Sequence, residues 1–145
     1  MKLSEETKKK ITDEYNIWFN NQYGDKSLEE RRELGAFFTP PELTIKMIEM
    51  FSCDSLANKT ILDPTLGSGG LIAGCIFAGA DPKLCYGNEL DYEILQIAKK
   101  RLGKLGVPDA NLHQGDATNP KAIARSSFNK DYKYVEYKME DLWKR

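Results

Sequence analysis

Residues 63–70 read Asp63-Pro64-Thr65-Leu66-Gly67-Ser68-Gly69-Gly70 and lie between two apolar runs. The run before them, residues 60–62, is typical of a short strand, and the run after them, residues 71–80, is typical of a helix. The stretch therefore predicts a strand, a glycine-rich turn and a helix. Such a turn lets a ligand approach the backbone closely, beside the amides at a helix N-terminus.

The same alternation of strand and helix continues along the chain. The predicted strands cover residues 60–63, 84–89 and 110–114, and the predicted helices cover residues 70–78 and 92–105. Such alternation indicates parallel strands joined by crossover helices. A short helix is predicted over residues 119–126, and a strand that alternates with charge, typical of a sheet edge, over residues 132–138. We therefore expect an α/β, Rossmann-like fold with about four mostly parallel strands flanked by helices.

The first part of the chain predicts helices of its own. One covers residues 4–21 and begins at a capping serine, and a shorter one opens with the capping box of Ser27 with Glu30 and ends at Gly35. Residues 35–41, Gly35-Ala36-Phe37-Phe38-Thr39-Pro40-Pro41, predict an extended loop, because a residue before proline disfavours the helical conformation. Thr39 is expected to cap the helix that follows.

Composition limits the classes of partner. The chain has 145 residues, with 21 basic and 22 acidic side chains and a formal net charge of -1, so any contact with DNA requires local clustering or a partner chain. Its start has no signal-peptide pattern and no stretch is apolar enough to span a membrane, so we expect a cytoplasmic protein without membrane contact. The three cysteines have no zinc-site spacing and His113 is the one histidine, so no metal site is predicted. Cys75 and Cys85 lie in apolar runs and are expected in the core.

Three acids, Asp63, Glu89 and Asp116, lie at or just beyond the ends of successive predicted strands. In open parallel sheets, ligands bind outside the carboxyl ends of the strands. An acid about 20 residues beyond a glycine turn commonly holds ribose hydroxyls. An acid on the third strand is suited to accept a hydrogen bond from an adenine amino group. Each acid also has an alternative interpretation that stays open. Asp63 could be an ordinary capping acid, Glu89 could only end a strand, and Asp116 could only form a side-chain turn.

The turn also separates the candidate nucleotide ligands. No Gly-Lys-Ser/Thr follows it, which excludes a P-loop, and the Gly-x-Gly-x-x-Gly pattern of dinucleotide sites is not met. An aspartate entering the turn would repel a pyrophosphate and attract a cationic aminoacyl group. The pattern therefore favours S-adenosylmethionine over NAD.

Four segments together carry a family resemblance: Gly35-Ala36-Phe37-Phe38-Thr39-Pro40, Asp63-Pro64-Thr65-Leu66-Gly67-Ser68-Gly69, Gly87-Asn88-Glu89-Leu90-Asp91 and Gly115-Asp116-Ala117. With them the chain resembles the N6-adenine DNA methyltransferases of restriction–modification systems, in particular type I modification subunits and fused type II enzymes. The resemblance covers about residues 28–118. We expect an N-terminal helical segment over residues 1–34 and a methyltransferase-like cofactor-binding domain over residues 35–145.

The resemblance also implies roles for particular residues. Residues 38–40 would contact the methionine end of S-adenosylmethionine, and Asp63 would lie near its amino group, with the turn glycines behind the chain. Glu89 would hold the ribose hydroxyls, Leu90 would pack on the adenine, and Asp116 would accept from the adenine amino group. The implied cofactor-binding set is Phe38, Thr39, Pro40, Asp63, Thr65, Gly67, Gly69, Glu89, Leu90, Asp116 and Ala117.

The catalytic motif of that family, Asn/Asp-Pro-Pro-aromatic, does not occur in these 145 residues. Its oxygens accept hydrogen bonds from the target amine and its ring stacks on the flipped base. The nearest string, Asn119-Pro120-Lys121, predicts a helix start instead. No catalytic residue is therefore predicted.

The chain is expected to be a cofactor-binding module that is incomplete for catalysis alone. Two alternatives stay open: a non-enzymatic regulatory or interaction protein, or one part of a split DNA methyltransferase. A homodimer through residues 132–138 or a methyltransferase-subunit partner also stays open, as does whether the chain is naturally short.

Overall fold

A computed structural model describes residues 1–118, apart from the side chain of Ala36. The helices are α1 (Glu5–Tyr23), α2 (Leu28–Phe37), α3 (Pro41–Glu49), α4 (Gly70–Phe77) and α5 (Tyr92–Gly103), and the strands are β1 (Ile61–Asp63), β2 (Cys85–Glu89) and β3 (Leu112–Gln114). Short 3-10 turns, Pro82–Leu84 and Asp109–Asn111, lead into β2 and β3. The helix expected over residues 119–126 and the strand expected over residues 132–138 lie outside the described residues.

The strands form one parallel sheet in the order β1-β2-β3. Asp63 at the end of β1 is the partner of Gly87, and Glu89 at the end of β2 is the partner of Gln114. Because the strands run in the same direction, their carboxyl ends meet at one edge of the sheet. The mixed α/β architecture with parallel pairing is thus confirmed, with three strands among the described residues.

Several helix caps follow the sequence prediction. The Ser4 hydroxyl accepts a hydrogen bond from the amide three residues on, at 3.1 Å, and Ser27 does the same at the start of α2. Asp91 caps α5 by accepting from the Ile94 amide at 3.0 Å. These short polar side chains satisfy amides that have no partner within their own helix, which fixes where each helix begins.

The boundary predicted around residue 35 is wrong. Gly35 does not end α2, which continues to Phe37, so the first part of the expected extended loop is helical. A single glycine weakens a helix by only about 1 kcal/mol, which neighbouring turns readily offset. Thr39 is not the cap of α3, because Pro40 occupies the capping position and Pro41 is the first helical residue. A proline at the first helical position has no amide hydrogen, so one of the amides that lack an intrahelical partner is absent there.

One hydrophobic core joins the N-terminal helices to the sheet. Its fully buried members include Ile48 of α3, Ile72 and Cys75 of α4, Cys85 of β2 and Leu102 of α5. Ile11 of α1 belongs to the same cluster. Helices α3 and α4 approach so closely that a Cβ atom on Gly74 would overlap the Thr44 methyl group, so only glycine fits there. The domain division at residue 34 stays a prediction.

Candidate functional site

The turn between β1 and α4 is built on two glycines with left-handed backbone conformations. Gly67 has a φ of 57° and Gly69 a φ of 89°, values that side chains with a Cβ atom adopt only at a cost in energy. Gly69 caps α4, and its amide donates to the Leu66 carbonyl at 3.0 Å. A Cβ atom on Gly69 would lie 2.8 Å from Leu102 Cδ1, so α5 packs directly against the turn.

A buried asparagine ties the turn to the ends of the neighbouring strands. Asn88 of β2 is fully buried, and its Nδ2 donates to the Pro64 carbonyl at 3.2 Å and to the Gly115 carbonyl at 3.0 Å. The backbone carbonyl of Asn88 accepts a hydrogen bond from the Leu66 amide at 2.8 Å. The segments after β1 and β3 are therefore both fastened to β2. Sequence reasoning quoted Asn88 only within a motif; a buried amide in a central strand is the signal that marks it.

Asp63 ends β1 beside the turn and is largely buried. Its Oδ1 accepts a hydrogen bond from the Thr65 amide at 3.0 Å. Burial raises the pKa of the Asp63 carboxyl above its ordinary value, the Thr65 hydrogen bonds oppose that rise, and the nearby Glu89 charge adds to it. A carboxylate in this situation gains from a cation placed beside it, because the cation offsets the lost hydration.

Glu89 ends β2 and faces the same turn. Its Oε1 accepts from the Gly67 amide at 2.9 Å and its Oε2 accepts from the Asp91 amide at 2.8 Å. A carboxylate has about four acceptor sites, so each oxygen keeps a second lone pair for a ligand hydroxyl. The side chain is thus held in place by backbone donors while it remains able to accept further hydrogen bonds.

A hollow of about 280 Å³ opens between the turn, the segment before α3 and the end of β2. Its volume is close to the lower end of ordinary ligand pockets, about 300–1,000 Å³. Two carboxylates, Asp63 and Glu89, contribute to its lining, and no cationic side chain of residues 1–118 does. The hollow is therefore suited to a cation or to hydroxyl donors, and a phosphate would be repelled.

The predicted site residues divide into two groups. Those that line the hollow are Phe38, Thr39, Asp63, Thr65, Gly67 and Glu89. Those that do not are Pro40, Gly69, Leu90, Asp116 and Ala117. Gly69 nevertheless shapes the turn from below, and Pro40 sets the start of α3. The grouping describes position; the roles in ligand binding stay predictions.

Leu90 and Asp116 lie beyond the hollow, just after the ends of β2 and β3. Leu90 is 66% exposed, and its carbonyl accepts from Gln114 Nε2 at 3.2 Å. Asp116 is exposed, and its Oδ1 accepts from the Thr118 amide at 2.9 Å and from the Thr118 hydroxyl at 2.6 Å, which lowers the pKa of the Asp116 carboxyl. Asp116 thus forms the side-chain turn that was left open as the alternative, with Oδ2 outside these bonds.

Sequence reasoning missed several lining residues: Phe37, Met47, Leu66, Ser68, Gly70 and Leu71. The adjacent phenylalanines show why. Phe37 is 68% exposed at the hollow, whereas Phe38 is only 3% exposed and packs its ring against Trp18 and Tyr23. A Phe-Phe pair before Thr-Pro indicates an aromatic at this place, but which ring is accessible depends on α1.

The described residues hold no arrangement for a metal ion. In residues 1–118, no group of three or more His, Cys, Asp or Glu side chains is placed to bind one. Cys75 and Cys85 are buried in the core, as expected, and burial raises the pKa of the Cys75 thiol to about 12 and that of the Cys85 thiol to about 11. Over the same part of the chain, every helix is too short or too polar to cross a membrane.

Comparisons with known proteins converge on one class. The model of a family described as N-6 DNA Methylase matches residues 3–138. A relative described as Type II methyltransferase M.VspI, from Vibrio sp. (strain 343), is 30% identical over 95 residues, which are 63% of this chain and 23% of the relative. The chain thus spans about a quarter of the length of this curated relative. No solved structure gives a significant match.

Proposed function

The chain belongs to the N-6 DNA methylase family, and we propose that it binds S-adenosylmethionine in the hollow at the glycine turn and serves as the cofactor-binding part of an adenine-N6 DNA methyltransferase. The cofactor supplies an electrophilic methyl group on a sulfonium ion. The residues of this chain bind and orient it. The proposal extends the family membership to a particular ligand and to particular side chains.

One observation carries this proposal: Asp63 and Glu89 share a hollow with a glycine turn, and no described cation balances them. S-adenosylmethionine bears a sulfonium, an ammonium and a carboxylate on its methionine end, with a net positive charge, and two hydroxyls on its ribose. The carboxylates of the hollow suit the two cationic groups, and the free lone pairs of Glu89 suit the hydroxyls. A nucleotide with a pyrophosphate would meet two carboxylates instead of donors.

The geometry supports an orientation along the edge of the sheet. The methionine end would lie between Asp63 and Thr39, and the ribose would lie at Glu89. The adenine would then continue past β2 toward the exposed Leu90, with Asp116 beyond it. Asp116 would accept from the adenine amino group through Oδ2, while its Oδ1 stays bonded to Thr118.

Methyl transfer requires groups that these 145 residues do not contain. The sequence has no Asn/Asp-Pro-Pro-aromatic segment to hold the target amine. We therefore propose that transfer depends on residues supplied by further sequence or by a partner chain. The near-neutral charge balance, 21 basic against 22 acidic residues, likewise favours contact with DNA through a partner.

Calorimetric titration of the chain with S-adenosylmethionine tests the proposal. We expect saturable binding, and Asp63→Ala and Glu89→Ala should each weaken it by about 1–3 kcal/mol, because each removes a charged hydrogen bond. Asp109→Ala is the matched control, since Asp109 pairs with Lys99 on the surface and does not line the hollow. Absence of saturable binding by the wild-type chain at millimolar ligand would refute the proposal.

A second candidate is a non-enzymatic role, in which the chain binds the cofactor or a methyltransferase chain without taking part in methyl transfer. It is favoured by exposed apolar side chains close to the hollow and the strand ends, at Phe37, Leu90 and Tyr92. Such side chains suit a covering partner surface. Mixing the chain with a methyltransferase chain that carries the missing motif separates the two: gain of adenine methylation supports a split enzyme, and binding without methylation supports the non-enzymatic role.

A further inference from the structure

Arg101 of α5 is a buried cation that does not line the hollow. Only 5% of the residue is exposed. Its Nε and Nη2 donate to the two carboxylate oxygens of Glu14 on α1, at 2.7 and 2.8 Å. A buried guanidinium is tolerated only when a counter-charge balances it and its N–H groups have acceptors. The bidentate pairing with Glu14 supplies a counter-charge and two acceptors.

The remaining arm of this guanidinium reaches the glycine turn. Arg101 Nη1 donates to the Ser68 hydroxyl at 3.0 Å, and Ser68 lies between the two left-handed glycines and lines the hollow. The next residue of α5, Leu102, fills the space beneath Gly69. Two successive residues of α5 therefore hold two successive residues of the turn.

Helix α1 also supports Phe38, a second part of the hollow's lining. The Trp18 ring lies under the guanidinium, with its centroid 4.2 Å from Arg101 Cζ. The same ring meets Phe38 edge to face at 5.4 Å, and Tyr23 stacks on Phe38 at 5.9 Å. Phe38 lines the hollow together with the turn. Both Phe38 and the turn are therefore supported by side chains of α1.

We propose that Glu14 and Arg101 are positioning residues that hold Ser68, and with it the backbone of the turn, in the conformation that receives the ligand. The ligand assignment rests on the proposed function, whereas the positioning itself is a property of the unliganded chain. Since Glu14 and Ser68 belong to different elements, the pair makes α1 a part of the site.

Hydrogen exchange of the unliganded chain tests the positioning directly. The amides of Leu66, Gly67 and Gly69 are hydrogen-bonded in the turn, and the amides of β2 report opening of the sheet. In Ser68→Ala, which removes only the hydroxyl and keeps the ion pair, we expect the turn amides to exchange about ten-fold faster while β2 stays at the wild-type rate. Glu14→Gln should have the same or a larger effect on the turn.

Asp13→Asn is the matched control for Glu14→Gln. Asp13 is the neighbouring acid of α1, it pairs with Lys9 on the surface, and the substitution makes the same change from carboxylate to amide. In Asp13→Asn, the amides of the turn and of β2 should exchange at the wild-type rates. If Glu14→Gln does not fold, Ser68→Ala still decides whether the hydrogen bond from Arg101 holds the turn.

Two results would overturn the positioning. One is a wild-type exchange rate at the turn in Ser68→Ala, and the other is equal acceleration of the turn and β2, which would indicate a general loss of stability. Titration of the same variants with S-adenosylmethionine should show about ten-fold weaker binding for Ser68→Ala and Glu14→Gln than for Asp13→Asn. Failure of the wild type to bind would remove the proposed function, while the exchange rates would still decide the role of Glu14 and Arg101.

Discussion

Glu89 and Gly67 hold each other in place: Glu89 Oε1 accepts a hydrogen bond from the Gly67 amide at 2.9 Å. The carboxylate lies at the end of β2, and the glycine lies in the turn after β1. Because β1 and β2 are paired in parallel with Asp63 opposite Gly87, the side chain two residues further along β2 reaches the turn. The residue that we propose binds the ribose therefore also fastens the turn to the end of β2 in the unliganded chain.

Because Glu89 accepts hydrogen bonds from two backbone amides, we predict that it contributes to the stability of the fold. Glu89→Ala leaves the Gly67 and Asp91 amides without their acceptor, so the free energy of unfolding should fall by about 1–3 kcal/mol. Glu89→Gln keeps one acceptor oxygen, so its free energy of unfolding should fall by less. Urea denaturation measures the difference. Glu93→Ala, an exposed acid in the first turn of α5, is the control and should stay within about 0.5 kcal/mol of the wild type. An unchanged midpoint for Glu89→Ala would contradict the structural part.

Asp63 is predicted to have the opposite effect on stability. Its pKa is raised in the folded state by burial, so the ionised form is disfavoured there. Above the folded pKa the buried charge lowers stability, and below its ordinary value of 3.8 this penalty vanishes. Asp63→Asn should therefore have a higher melting temperature than the wild type at pH 7, and the advantage should shrink as the pH falls through the folded pKa toward 3.8.

Asp81→Asn controls for the local turn in that experiment. Asp81, like Asp63, accepts a hydrogen bond from the amide two residues on, but near the surface. Its substitution should give no comparable rise in the melting temperature. The same Asp63→Asn protein should bind S-adenosylmethionine about ten-fold less tightly, since its neutral amide cannot offset a cation. A more stable variant that also binds as well as the wild type would disprove the assigned ligand contact.

Local sequence signals predicted the parts of the fold that neighbours along the chain determine. The order of strands and helices and the caps at Ser4 and Ser27 follow from residues within a few positions. Placement of Asp63 and Glu89 at one hollow followed from the rule that parallel strands share a carboxyl edge.

Features set by tertiary packing were not accessible to that reasoning. The continuation of α2 through Gly35 was missed for a different reason, because the penalty of about 1 kcal/mol for one glycine is too small to end a helix by itself. The choice of Phe37 over Phe38 as the exposed ring depends on the aromatic side chains of α1. Arg101 lies within the helix predicted over residues 92–105, but its burial against Glu14, 87 positions away along the chain, does not follow from that local pattern.

The pairing of Glu14 with Arg101 predicts strong coupling between two substitutions. Glu14→Leu alone leaves a buried guanidinium without its counter-charge and should lower the free energy of unfolding by about 3–5 kcal/mol. Arg101→Met alone should have a similar effect for the converse reason. The double variant removes both charges and should be more stable than the sum of the single losses predicts, by about 1–3 kcal/mol. Chemical denaturation of all four proteins gives the coupling energy, and additive losses would mean that the two charges act independently.

Two glycines of the turn allow backbone strain to be separated from crowding. Gly67 and Gly69 both have positive φ angles, but a Cβ atom on Gly67 would have no atom within 4 Å, whereas one on Gly69 would lie 2.8 Å from Leu102 Cδ1. Gly67→Ala should therefore lower the free energy of unfolding by about 1–2 kcal/mol through backbone strain alone. Gly69→Ala should lose about 1–3 kcal/mol more through overpacking.

Leu102→Ala provides the test of that second contribution. The substitution opens space beneath the turn, so in its background Gly69→Ala should lose no more than Gly67→Ala does, which corresponds to a coupling of about 1–3 kcal/mol. Urea denaturation of the single and double variants supplies the values. Equal losses for Gly69→Ala with and without Leu102 would show that α5 does not press on the turn, and the support of the turn by α5 would then rest on Arg101 alone.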